Sequence, residues 1–198
     1  MTREEAYKLM TEMIKSSNLR KHGLAVEAIM RALCKYLKER SASQGLALEP
    51  EEFEEEEWAI VGLLHDADYE LIEKDPSKHT LVTAEKLRPL GASERIINGI
   101  KAHHDGIKDS RDNYLEKSVY AADELSGLIT ACALVRPDKK LSSVTVESVM
   151  KKFPQKAFAA GAKREQILAC EKELEIPLEE FVAIALKAMQ NIATELGL

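Results

Sequence analysis

Residues 60–70 read IVGLLHDADYE, an apolar run that passes directly into His65 and Asp66. Apolar residues without alternation, flanked by Ala, Leu, Glu and Lys, make this stretch part of a helix rather than a strand. Neighbouring residues on a helix point in different directions, so two adjacent metal-binding groups cannot serve one centre from one helical face. The helix is therefore expected to end or distort at the His65–Asp66 pair.

Outward from this point the helical period persists, which predicts an all-α fold. A first helix covers about Arg3 to Ile14, and "SSN" caps a second from about Leu19 to Arg40, broken by "SASQGLALEP". The acidic "EEFEEEEW" reads as a solvated start of the helix that carries His65, its carboxylates suiting the positive helix end. Pro76 follows a turn, after which Ser77 is expected to cap a helix bearing His79. "SERIINGIKAHH" ends in His103 and His104, and "NYLEKSVYAADELSGLITACALV" forms a long apolar helix around Asp123. Beyond "RPDKK" come a short helix at "TVESVMKKF", the linker "PQKAFAAG", and two helices, "KREQILACEKEL" and "PLEEFVAIALKAMQNIATEL".

The 198 residues, 45% hydrophobic, suffice for one compact domain with a substantial core. No segment approaches a membrane span and the charged start lacks a signal-peptide core, so a cytoplasmic protein without a membrane partner is expected. Cys34, Cys132 and Cys170 are odd in number and far apart, as buried thiols would be. A net charge of −6 argues against binding a nucleic acid duplex, but leaves room for a small phosphorylated substrate beside a local cation.

The five histidines are informative by position, since successive helical segments each offer an imidazole or carboxylate. Their order is His22, then His65 with Asp66, then His79 in "KHTLVTA", His103 in "IKAHHDG", and Asp123 in "YAADELSGL". This series resembles the HD superfamily of metal-dependent phosphohydrolases over about Met10 to Val135; "HDADYE", "AADELSG" and "FAAGAKRE" are similar to one group of its hydrolases. The resemblance implies an HD-type helical bundle in residues 1–136 and a C-terminal helical extension, 137–198, packed on the same domain. It further implies that His22, His65, Asp66 and Asp123 hold one metal and His79 with His103 a second, Asp66 bridging.

A mixed imidazole and carboxylate set suits divalent iron, manganese, zinc or cobalt better than magnesium or calcium. Two such ions about 3.5–4 Å apart activate water and stabilise phosphoryl oxygens. Asp66 and His104 are the expected catalytic residues. His104 is open to three roles: replacing His103 as ligand, contacting a phosphate, or capping the helix end. Asp68, Glu70 and Lys108 belong at the mouth of the site or on the solvated surface. Lys163 and Arg164 begin a helix, where positive side chains oppose the dipole unless an anion is near, so with Lys108 they are the expected substrate-binding residues. Families with the same ligand order include di-iron oxygenases, and a non-catalytic nucleotide sensor is a third class.

Overall fold

The computed structural model describes residues 1–45, 50–72 and 75–198, and the fold is all-α, with no strand among the described residues. Helix α1 (Arg3–Met13) begins at a capping box in which Thr2 and Glu5 satisfy each other's backbone N–H groups. Ser16 caps α2 (Ser17–Ser43), which runs past the expected Arg40. The predicted breaker "SASQGLALEP" overlaps that helix end, and its residues 46–49 lie outside the described residues.

Helix α3 (Glu55–Leu64) is buried without interruption from Trp58 to Leu64 and packs against α1, α2, α5 (Glu94–Ala102) and α6 (Tyr114–Leu134). A helix apolar on every side has no solvent face to spare, which makes α3 the centre of the bundle. Its acidic start is not simply solvated, as the sequence suggested. Glu55 and Glu56 meet Arg31 of α2, while Glu57 meets Arg95 of α5. The carboxylates thus tie α3 to both neighbours.

Two glycines set the spacing between α2 and α3. A Cβ on Gly62 would stand 2.8 Å from both the Glu27 nitrogen and the Val26 oxygen, and one on Gly23 would stand 2.8 Å from the Leu63 oxygen. Backbone meets backbone at both points, so neither neighbour can yield by turning a side chain. His22 precedes one glycine and His65 lies one turn beyond the other. The close contact therefore brings these two rings together.

His79 is not in a helix, contrary to the sequence expectation. Asp75, not Ser77, is the capping residue: its carboxylate accepts both the Ser77 N–H and the Ser77 hydroxyl. One 3-10 turn follows (Pro76–Lys78), then extended His79 and left-handed Thr80, before α4 (Leu81–Leu87) starts. The C-terminal elements are α7 (Val146–Lys152), α8 (Arg164–Ile167), α9 (Ala169–Glu173), α10 (Leu178–Asn191) and α11 (Ala193–Leu196). Each of the two predicted terminal helices is thus split, at Leu168 and at Ile192. Helices α8 and α9 pack on α6, and α10 packs on both α2 and α6, within one continuous hydrophobic cluster. All three cysteines are buried and free, and no described helix is long and apolar enough to cross a membrane.

Gly62→Ala is expected to force α2 and α3 apart and to destabilise the fold by about 1 to 3 kcal/mol, the range for overpacked cores. For a chain of this size the melting temperature should fall by roughly 3 to 10 °C in a thermal melt. An unchanged melting temperature would show that the helices are not in backbone contact at this point.

Candidate metal centre

Helix α3 stops at Leu64, and His65 forms its C-cap, so the chain leaves the helix at the adjacent His65–Asp66 pair. Two groups of donor atoms result: His22, His65, Asp66 and Asp123 form one, and Asp66, His79 and His103 form the other, each within 4.8 Å. In the first, His22 Nε2 lies 3.0 Å from His65 Nε2, 3.0 Å from Asp123 Oδ1 and 3.5 Å from Asp66 Oδ2. In the second, His79 Nε2 lies 3.0 Å from His103 Nε2 and 3.1 Å from Asp66 Oδ1. Asp66 turns one carboxylate oxygen to each group. Bonds of about 2.0–2.1 Å from a cation to two imidazole nitrogens at a right angle would separate those nitrogens by roughly 3.0 Å, so the spacing fits a shared ion.

The opposite ring nitrogens explain why every Nε2 faces inward. His65 Nδ1 donates to the Gly62 carbonyl at 2.8 Å, and His103 Nδ1 to the Ile100 carbonyl at 2.6 Å. His79 Nδ1 donates to Asp68 at 2.8 Å. The Ser126 hydroxyl donates to the Asp123 carbonyl at 2.8 Å and so accepts from His22 Nδ1 at 3.0 Å. Each partner accepts a hydrogen bond from the Nδ1 N–H, which directs Nε2 inward, where a cation would replace its proton.

Asp68 is a correction to the sequence reading. It stands neither on the surface nor at the mouth but is fully buried, accepting from His79 Nδ1 and from the Thr80 and Thr83 N–H groups. Burial alone would raise its carboxyl; these donors hold it below its ordinary value. The same contacts maintain Thr80 at φ 68°, an uncommon conformation for a β-branched residue. Glu70 is exposed, as the surface alternative has it, and accepts the Lys15 and Ser16 N–H groups at the α1–α2 corner.

The carboxylates draw positive charge into the centre. Burial disfavours a charged His22, but Asp123 and Asp66 push it up to about 10; burial likewise opposes charge on His79, which Asp66 and Asp68 push up to about 9. Protons and a metal compete for the same lone pairs, so metal uptake would release protons.

A cleft of about 600 Å³ opens over these groups, lined by Leu19, Tyr69, Ile72 and Pro76 on its apolar side and by His104, Glu124, Lys163 and Gln166 among its polar residues. His103 joins the second cluster, whereas His104 stands on the cleft wall with its Nδ1 buried and without a protein partner. Of the three expected substrate-binding residues only Lys163 lines the cleft. Lys108 is instead paired with Glu116 at 2.7 Å and Asp112 at 3.0 Å. Arg164 points its guanidinium at backbone carbonyls of its own segment. The anion at that helix start is Glu124, which accepts the Lys163 N–H at 3.1 Å. Sequence reasoning also passed over Ser126, although it lies one helical turn from Asp123, the spacing at which helix neighbours meet.

No curated protein and no solved structure matches the chain. The sequence model of one family, described as HD domain, does match, over residues 19–128. That span is more than half of the chain and carries every member of both donor groups: the chain belongs to the HD domain family.

Proposed function

We propose that this chain is a metal-dependent phosphohydrolase that cleaves a nucleotide or another small phosphate ester at a dinuclear centre. HD membership supports a metal-dependent hydrolase in general. The observation that carries the finer reading is the division of Asp66, with Oδ2 toward the first donor group and Oδ1 toward the second. In this reading His22, His65, Asp66 and Asp123 hold one divalent transition ion, and Asp66, His79 and His103 hold the other. Iron, manganese, zinc and cobalt suit these donors. When bound, such a pair supplies Lewis acidity that activates water and offsets phosphoryl charge.

The chain's own residues would do the rest. Asp66 fixes the spacing of the two ions. Lys163 meets the substrate phosphate from the rim, and the apolar wall of Leu19, Tyr69, Ile72 and Pro76 receives the remainder of the ester. His104, which lines the cleft beside the second donor group, is the proposed proton donor to the leaving group. Burial and the neighbouring His79 and His103 hold its ring below the ordinary value, which makes its protonated form a stronger acid but a less populated one. Glu124, whose carboxyl is raised by burial and by Asp123, is a second proton source on the same wall.

Asp66→Ala is expected to remove nearly all bound transition metal while helical content by circular dichroism stays the same. His79→Ala should retain about half the wild-type metal and little turnover, since its duty is confined to one ion. Elemental analysis of the purified proteins decides this, and wild-type stoichiometry in either variant contradicts its assignment.

Asp68→Ala leaves all seven donors of the two groups in the chain but removes the His79 Nδ1 acceptor. Loss of such a supporting partner should weaken metal affinity about 10- to 100-fold at the second position alone. A competition titration with a chelator would detect it; equal affinity at both positions would count against the role given to Asp68.

Hydrolysis needs no change of oxidation state, whereas an oxygenase with the same ligands needs a ferrous ion that reduces dioxygen. The manganese-loaded protein should therefore release phosphate from an ester panel without oxygen. An inert manganese protein, together with an iron protein that consumes oxygen in proportion to product, would replace the hydrolase reading with the oxygenase one.

A further inference from the structure

The segment from Phe153 to Gln166 supplies Gly161, Lys163 and Gln166 to the cleft wall, and one side chain joins its successive turns. A guanidinium has five N–H donors and no acceptor. In Arg164 they meet five carbonyls: Nε donates to Phe153 at 3.0 Å, one terminal nitrogen to Ala159 and Ala162 at 2.9 and 2.6 Å, and the other to Gln155 and Phe158 at 3.5 and 2.6 Å. Four of the donors are firmly engaged at 2.6–3.0 Å, and the fifth meets Gln155 only at 3.5 Å. Ala159, one of the residues so held, is left-handed at φ 46°, a conformation that an alanine keeps only where its surroundings impose it.

The cleft-lining part is pinned at Lys163 and at Gln166. Glu124, next to Asp123 on α6, accepts the Lys163 N–H. Asp105, two residues beyond His103, accepts Gln166 Nε2 at 3.3 Å. Asp105 is itself fixed by Arg111 at 2.6 Å and by the Tyr120 hydroxyl at 3.0 Å, with the Arg111 guanidinium 3.3 Å above the Tyr120 ring. The backbone under Lys163 is thereby fixed in shape and in place, while its long side chain remains exposed at the cleft rim.

From this arrangement we infer that Arg164 is a positioning residue, which shapes the segment so that Lys163 meets the phosphate of the substrate and which itself gives no hydrogen bond to that substrate. The inference rests on the phosphohydrolase reading only in taking phosphate as the anion. Lysine cannot replace Arg164, because one ammonium has three donors and no planar fork to span five carbonyls. Without them Ala159 keeps only the turn bond from the Ala162 N–H to hold its left-handed conformation, and the segment leading into Lys163 loosens ahead of its attachments to Glu124 and Asp105.

The test is a double-mutant cycle on the manganese-loaded full chain, with inorganic phosphate as the calorimetric probe. Lys163→Ala and Arg164→Lys should each weaken phosphate binding about tenfold, the loss expected for one charge-assisted contact. The double variant should be no more than about twofold weaker than either single one, because both substitutions remove the same contact. Metal content should be equal in all four proteins. With p-nitrophenyl phosphate, KM should rise in step while kcat changes little, as for a group that binds ground and transition states alike. Hydrogen exchange across residues 155–166 should quicken in Arg164→Lys and not in Lys163→Ala.

An additive loss of about a hundredfold would mean that Arg164 contacts phosphate independently, and the inference fails. Wild-type phosphate affinity in either single variant, or unchanged exchange in Arg164→Lys, overturns it equally. Should Arg164→Lys not fold, Asp105→Asn loosens the segment at Gln166 and takes its place in the same cycle, with the same outcomes decisive. If the cycle behaves as expected and no ester is cleaved, the inference stands and the hydrolase reading falls. A wild-type protein that takes up no metal also ends that reading, and the cycle run without metal still tests Arg164.

Discussion

The backbone contact between α2 and α3 is the constraint on which the rest depends. Gly23 and Gly62 let the two helices approach until main-chain atoms of one lie against the other. A side chain larger than hydrogen at either position would part His22 from His65, whose Nε2 atoms are 3.0 Å apart. Because α3 is surrounded on all sides, its position also fixes those of α5 and α6, which carry His103 and Asp123. Core packing and donor geometry thus share one set of contacts.

Burying histidines and carboxylates together is costly unless every polar atom has a partner. The centre meets this condition by dividing each imidazole in two. The outer nitrogen is given to a carbonyl, to the Ser126 hydroxyl or to Asp68, and the inner one is turned toward Asp66 or Asp123. Two of the outer partners are carbonyls three residues earlier in the same chain segment, available because His65 and His103 each sit where a helix ends. Helix termination at each of these histidines supplies both the change of direction and the acceptor that orients the ring.

Much of the fold was legible because helical period and capping residues are local properties. The long helices α2 and α6 and the ordered series from His22 to Asp123 could be read directly, since that order survives whatever the loops do. What escaped was decided by partners distant in sequence or by competition between similar residues. Asp68 looks like any polar residue after a helix until His79 and the Thr80 and Thr83 amides close over it. Asp75 and Ser77 are both good caps, and the hydrogen bond from the serine to the aspartate removed the serine from contention. Arg164 and Lys108 have the charge expected of substrate ligands, but their directions are set by the Phe153–Ala162 carbonyls and by Glu116. The breaks at Leu168 and Ile192 fall at residues with no helix-breaking character, so local propensity does not mark them.

The left-handed Thr80 has a consequence for how the centre comes apart. One donor group is drawn mainly from helices embedded in the core, α2, the end of α3 and α6, whereas the other takes His79 from a turn kept in an uncommon conformation by one buried carboxylate. Segments supported by few contacts open at lower free-energy cost than packed helices do. The two halves of the centre therefore belong to different levels of local stability and are joined through Asp66, so an opening of the His79 turn exposes one half to solvent while α2, α3 and α6 keep the other intact.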